Sequence, residues 1–247
     1  MSCKIVQVLI LVIACITASA GVNAKDSDLD IALSLADMLR ASRTVIANNQ
    51  SLINDPDKTD KALTGDEVVN QIMSLLAQEN TITAEQLAED TRLGRYLRYQ
   101  SESIAEVIDE NQTLINRPGL AFKGFVPAVF ARLVNERFSE KAAGEANVKV
   151  TAPLDLIRNR RARPDAWELD VFESQFRSAD WKRGERYTAS TEIHGREAFR
   201  VMVPEYYGDA CLACHGAPKA ELDVTGYPKE GASTGQLAGA VSITIFK

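Results

Sequence analysis

An α+β fold is what this sequence predicts, and three patterns predict it. Apolar residues recur at helical spacing through the first half, from Ile31 to Phe138. Apolar and polar residues alternate in the second half, over 187–193, 197–203 and 241–246. Helices that come first, with antiparallel strands after them, pack as separate layers instead of forming a parallel sheet. The expected architecture is a set of long N-terminal helices on an antiparallel sheet. Its 247 residues, 45% of them hydrophobic, suit one large domain or two small ones.

The chain opens with a leader over 1–24. Lys4 supplies its positive end, Ile5 to Ile16 is an apolar run broken only by Gln7, and Val22 and Ala24 fit a cleavage site before Lys25. Val12-Ile13-Ala14-Cys15 also has the form of a lipobox, which would leave the protein on a membrane by an acyl anchor at Cys15. The apolar run continues past Cys15 to a small-residue site, which favours ordinary cleavage and export to the periplasm or beyond. No other stretch is long and apolar enough to span a bilayer.

The helical region, 25–144, begins with a stripe through Ile31, Leu35, Met38, Leu39, Ser42, Val45, Ile46, Leu52 and Ile53, ended by Asn54 and Pro56. Thr64 and Glu67 stand in capping-box register ahead of Val68, Val69, Ile72 and Leu76. Thr83 and Gln86 repeat that signature before a long helix through Leu87, Leu97, Ile104 and Ile108. Pro127 suits the first turn of a helix carrying Phe130, Leu133 and Phe138. An internal repeat runs through this region. VIANNQSLINDP at 45–56 matches VIDENQTLINRP at 107–118 in eight of twelve positions, and Lys61 matches Lys123 at the same offset. We read a duplicated long-helix, turn, short-helix unit whose copies pack together; the paired Asn and Gln residues could line a ligand site, but helix termination and packing are the favoured reading.

In the second region, 145–247, Val148 and Val150 suggest a short strand, and Trp167, Val171, Phe172 and Phe176 a helix after Pro164. His194-Gly195 is a tight turn between two alternating strands. Val241, Ile243 and Ile245 give a closing strand with one buried face. Residues 25–247 are expected to form one compact domain.

Chemistry concentrates at Cys211-Leu212-Ala213-Cys214-His215. This is the C-x-x-C-H pattern for covalent haem attachment: two thiols add to the porphyrin vinyl groups, and the adjacent imidazole faces the iron. A zinc site would need four ligands, and three of them packed into this pentapeptide would be strained. A redox dithiol opens a helix after a strand in a βαβ setting, whereas Gly208, Gly216 and Pro218 bracket this motif. Of four cysteines, Cys3 and Cys15 lie in the leader, so the mature chain keeps only the motif pair. Haem of this kind is attached outside the cytoplasm, in agreement with the leader.

Other segments add a resemblance. Phe125-Val126-Pro127-Ala128, Arg158-Asn159 with Pro164-Asp165-Ala166-Trp167-Glu168, the motif with Ala210 and Gly216, and Gly239-Ala240-Val241-Ser242-Ile243 resemble the PAS-like c-type haem domains of the Tll-type family, over roughly 29–247. The resemblance implies an antiparallel sheet flanked by helices and holding one covalent haem c. It implies Cys211 and Cys214 as attachment thiols and His215 as the proximal ligand. Such domains stand alone or serve as sensor parts of chemoreceptors and histidine kinases. The typifying member, a cyanobacterial cytochrome, places a cysteine on the sixth iron position. No third cysteine remains here, so that role does not carry over.

Either another side chain takes the sixth position or that face is open to water or a small ligand, and the side-chain candidates are Met202, a thioether near the strand end, and His194, the only other histidine. His194 sits at a hairpin turn about 20 Å from the strand end that leads to the motif. Met202 shares a strand face with Ala198 and Arg200, opposite Phe199, Val201 and Val203. The cluster Arg158, Arg160, Arg161 and Arg163 could pair the haem propionates, Arg158 foremost. Tyr206 and Tyr207 would pack on the porphyrin edge. The net charge of −6 argues against nucleic acid as a partner and is compatible with a basic redox protein. No nucleophile triad or phosphate loop supports a hydrolase or kinase. The sequence therefore points to an exported haem c protein that senses redox state or a small gaseous ligand, with a periplasmic electron carrier as the alternative. A haem peroxidase is disfavoured by the lack of distal acid–base residues.

Overall fold

The computed structural model describes residues 27–247, so the leader and lipobox readings lie outside the described residues. Helix α1 (Asp28–Asn48) buries Ile31, Leu35, Met38, Leu39, Ser42, Val45 and Ile46, the stripe expected from the sequence. Ser27 and Asp30 close a capping box at its start that the sequence reading missed. The chain pauses at Asn49 and continues as α2 (Gln50–Ile53). At α3 (Gly65–Glu79) only half of the expected box forms: Thr64 accepts the Glu67 N–H, while the Glu67 carboxylate accepts from Gln71 at 2.7 Å.

The long helix expected after Thr83 is instead two. Thr83 and Gln86 cap α4 (Ala84–Ala88), and α5 (Arg92–Glu110) starts anew on Thr91, whose hydroxyl accepts the Gly94 N–H at 3.0 Å. Gly94 makes this break possible, because a Cβ there would overlap the Glu89 and Gln86 carbonyl oxygens. Two further helices follow, α6 (Gln112–Ile115) and α7 (Pro127–Lys141), with Pro127 in the first turn. Helices α1, α3, α5 and α7 pack as a four-membered bundle.

The repeat forms a reciprocal brace. Asn54 Oδ1 accepts the Lys123 N–H at 3.0 Å, and Asn116 Oδ1 accepts the Lys61 N–H at 3.1 Å. Gln50 Nε2 donates to the Phe125 carbonyl and Gln112 Nε2 to that of Leu63. Each copy thus satisfies the backbone that follows the other, and these amides serve structure.

Strands β1 (Ala146–Thr151), β2 (Tyr187–Ile193), β3 (Arg196–Tyr206) and β4 (Leu237–Phe246) form an antiparallel sheet in the order β1-β4-β3-β2. The fold is α+β. His194 and Gly195 both take positive φ, 51° and 77°, in the β2–β3 turn. Val201, Val203, Val241, Ile243 and Ile245 share one continuous core with the bundle. The closing strand β4 differs from expectation. It is central, and Ser242 and Thr244 on its second face are buried too. That face is covered by α8 (Ala166–Val171) and the π turn Phe172–Phe176, where Met202 and Ala240 meet Val171, Phe172 and Phe176. Glu168 is buried there between Lys149 at 2.6 Å and Arg200 at 3.4 Å. Among the described residues, no helix is long and apolar enough to cross a membrane.

Candidate functional site

The end of β3 delivers the motif. Past a register shift at Glu205/Tyr206 the chain stays tied to the β4 side, with Tyr207 N–H on the Gln236 carbonyl at 2.9 Å and Gly235 N–H on the Tyr207 carbonyl at 2.7 Å. A short helical segment of about two turns follows, first 3₁₀ over Asp209–Cys211 and then α9 (Leu212–His215). Spacings of three and four residues on a helical turn bring Cys211, Cys214 and His215 onto one side. Both cysteines are free thiols and partly exposed. Gly216 closes the turn by donating to the Leu212 carbonyl at 2.9 Å. A Cβ on Gly216 would lie 2.6 Å from that oxygen, so the close approach excludes a side chain.

The chain from 217 to 236 then folds back over the turn. Ala232 N–H meets the His215 carbonyl at 2.8 Å, which brings Glu230 beside the imidazole. The His215 Nδ1 and Glu230 Oε2 are 2.8 Å apart. Arg158 arrives from the 3₁₀ turn Leu154–Leu156 and ties these pieces together. Its Nε and Nη2 donate to the two Glu230 oxygens at 2.7 and 2.8 Å, its Nη1 to Asp223 Oδ2 at 2.6 Å, and its Nη2 also to the Cys214 carbonyl at 2.8 Å. Tyr227 donates its hydroxyl to the Arg158 carbonyl at 2.8 Å. Bidentate pairing of this kind fixes orientation as well as charge.

These contacts set the local electrostatics. Burial works against ionisation of Glu230, yet hydrogen bonds from Arg158 and His215 hold its carboxyl below the ordinary range. Burial likewise opposes the charge on Asp223, and bonds from Thr225, Arg158 and the Tyr227 backbone bring it far down. Burial, aided by the nearby Asp223 charge, pushes the Cys214 thiol up. Tyr207 is pushed up to about 12, first by burial and then by the Glu230 charge. The carboxylates are therefore anionic while the thiol and phenol stay protonated.

Of the residues singled out in the sequence, the structure brings together Cys211, Cys214, His215, Arg158 and Tyr207, whose ring lies 5.1 Å from that of His215. Two others lie elsewhere. Met202 is fully buried on the second face of the sheet with Phe172 and Phe176. His194 is exposed at the β2–β3 turn, which lies eleven strand residues, about 35 Å, from the motif end of β3. Arg161 pairs Glu136 at 2.9 Å, away from the motif. Tyr206 stacks under Arg183, 4.3 Å from ring centroid to guanidinium carbon. Sequence reading missed Glu230, Asp223 and Tyr227. They sit in a polar segment with no periodicity, and their common partner is more than sixty residues upstream.

The donor set suits a covalently held porphyrin. Two reduced thiols and an imidazole share one turn, and Nδ1 is occupied by a carboxylate, which leaves Nε2 as the ring atom free to face an iron. Among the described residues, no group of three or more His, Cys, Asp and Glu side chains has the arrangement of a metal site. Two shallow depressions, one lined by Ser190, Glu197 and Lys247 and one by Asp30, Asp37 and Leu93, share no residue with the motif. In comparison with known proteins, a family model described as Tll0287-like (Tll0287) matches residues 22–245. No curated protein and no solved structure matches the chain.

Proposed function

The chain belongs to the Tll0287-like family, and from that premise we propose that it is an exported protein carrying one haem c, which responds to redox state or to a small gaseous ligand. The observation that carries this reading is the shared turn of Cys211, Cys214 and His215 with Nδ1 of His215 on Glu230. Each thiol would add its S–H across a vinyl group, forming a carbon–sulfur bond and placing the hydrogen on the second vinyl carbon. Once bound, the haem would supply one-electron exchange and a binding position for a diatomic ligand.

The protein's own residues hold and orient that group. His215 presents Nε2, Glu230 keeps the ring in one tautomer, and Arg158 locks the segment carrying Glu230 to the carbonyl of Cys214. Tyr207 packs beside the imidazole and helps exclude water. Arg158 retains N–H capacity on Nη1 for a haem carboxylate. The leader over 1–24 supports export, where such attachment takes place.

Denaturing mass spectrometry tests attachment. Protein made with c-type maturation machinery is expected to be one haem heavier than its polypeptide, and C211A/C214A to lose that mass. Zinc in the purified wild type would refute the assignment. The distal side is tested by the spectrum of the reduced protein. With His194 exposed in the β2–β3 turn and Met202 packed against Phe172 and Phe176, the open distal face is the reading favoured, and carbon monoxide is expected to bind and shift the Soret band. A low-spin spectrum in both oxidation states that is inert to carbon monoxide would make the protein an electron carrier instead.

A further inference from the structure

We infer that Glu230 is a positioning residue that polarises the His215 ring and biases the haem toward its oxidised state, with Arg158 as its anchor. This rests on the reading of His215 as the proximal ligand. The geometry has three parts. The Glu230 Oε2 to His215 Nδ1 distance is 2.8 Å, a full hydrogen bond. Both Glu230 oxygens are gripped by Arg158, so the carboxylate cannot swing away without breaking two charge-assisted bonds. The backbone is held as well, by Ala232 N–H on the His215 carbonyl at 2.8 Å.

Charge makes this more than a clamp. Arg158 carries one positive charge and faces two carboxylates, Glu230 and Asp223, both at salt-bridge distance. The three groups therefore sum to one negative charge next to the imidazole. Glu230 is mostly buried, which limits the screening of that charge by water. An anionic acceptor on Nδ1 draws the N–H proton toward itself and makes Nε2 a stronger donor to a metal. A stronger donor favours the more highly charged ferric iron over the ferrous. Glu230 lies outside the C-x-x-C-H pattern, fifteen residues after the histidine.

The test is the reduction midpoint of the holoprotein, measured for wild type, E230Q, E230D and E221Q. Glu221 lies in the same returning segment and pairs with Lys229 at 2.7 Å, so E221Q removes the same unit of charge without touching His215. We expect E230Q to favour the reduced form by about tenfold, a rise of about 59 mV for a one-electron couple. E230D keeps the charge but withdraws it by one methylene. Its midpoint should rise less, and it serves as the probe if E230Q does not fold. E221Q should leave the midpoint unchanged. A midpoint unmoved in the Glu230 variants, or moved equally by E221Q, overturns the inference. A wild-type protein without added haem mass overturns the reading beneath it, and the two failures are told apart in the same preparation.

Discussion

Arg158 joins groups that the sequence keeps far apart: Cys214 in the motif, and Asp223 and Glu230 in the segment that follows. Asp223 is the buried end of that network. Its carboxyl lies well below the 3.8 of an unperturbed group, because hydrogen bonds from Thr225, Arg158 and the Tyr227 backbone outweigh its burial. A lowered native pKa contributes stability that is present above the unfolded value and lost as pH falls through the native one. The urea midpoint is therefore expected to drop on acidification below about pH 4. D223N should start weaker at neutral pH and fall less steeply, and equal slopes for the two proteins would contradict this account. Gly216 makes a different prediction. Its Cβ has no room against Leu212, so G216A should cost about 1–3 kcal/mol in urea unfolding and lower the haem bound per polypeptide. Met202 packs as a core residue, so M202L should leave the spectrum of the holoprotein unchanged, whereas a changed ligand-field spectrum would mark it as an iron ligand.

Among the elements, those with a local signal were legible. The stripe of α1, the Pro127 start of α7 and the His194-Gly195 turn each depend on neighbours within a few residues. The division of α4 from α5 was not recognised, because Thr91 and Gly94 look unremarkable inside a continuing helical period and only the contact with Glu89 and Gln86 gives Gly94 its meaning. The repeat was legible as duplication, while its exchange of hydrogen bonds was not. That exchange predicts that N54A and N116A will each destabilise by about 1–3 kcal/mol, since each leaves the buried N–H of Lys123 or Lys61 without a partner. Chemical denaturation of the two variants checks this, and a loss in only one of them would show that the brace is not reciprocal.

On the scale of the whole molecule, one hydrophobic core runs from the bundle into the sheet through Val201, Val203, Val241 and Ile243. Limited proteolysis is expected to release no stable bundle fragment ending near Gly144, because the fragment would expose the apolar face that α1 and α7 bury on the sheet. Two folded halves from such a cut would show independent domains. By itself the sequence determined the α+β class, the helical period, the hairpin and the C-x-x-C-H motif, because each of these is written in residues close together along the chain, whereas the helical turn that the motif adopts, in place of the expected loop, came from the structure. Only the tertiary structure decided that β4 is central, that Met202 belongs to a second core, and that Glu230 meets His215 while His194 stands at the far end of β3. The physical reason is that an ion pair or a buried face is chosen by which segments pack together, and packing joins residues such as Arg158 and Glu230 that carry no mark of each other in the sequence.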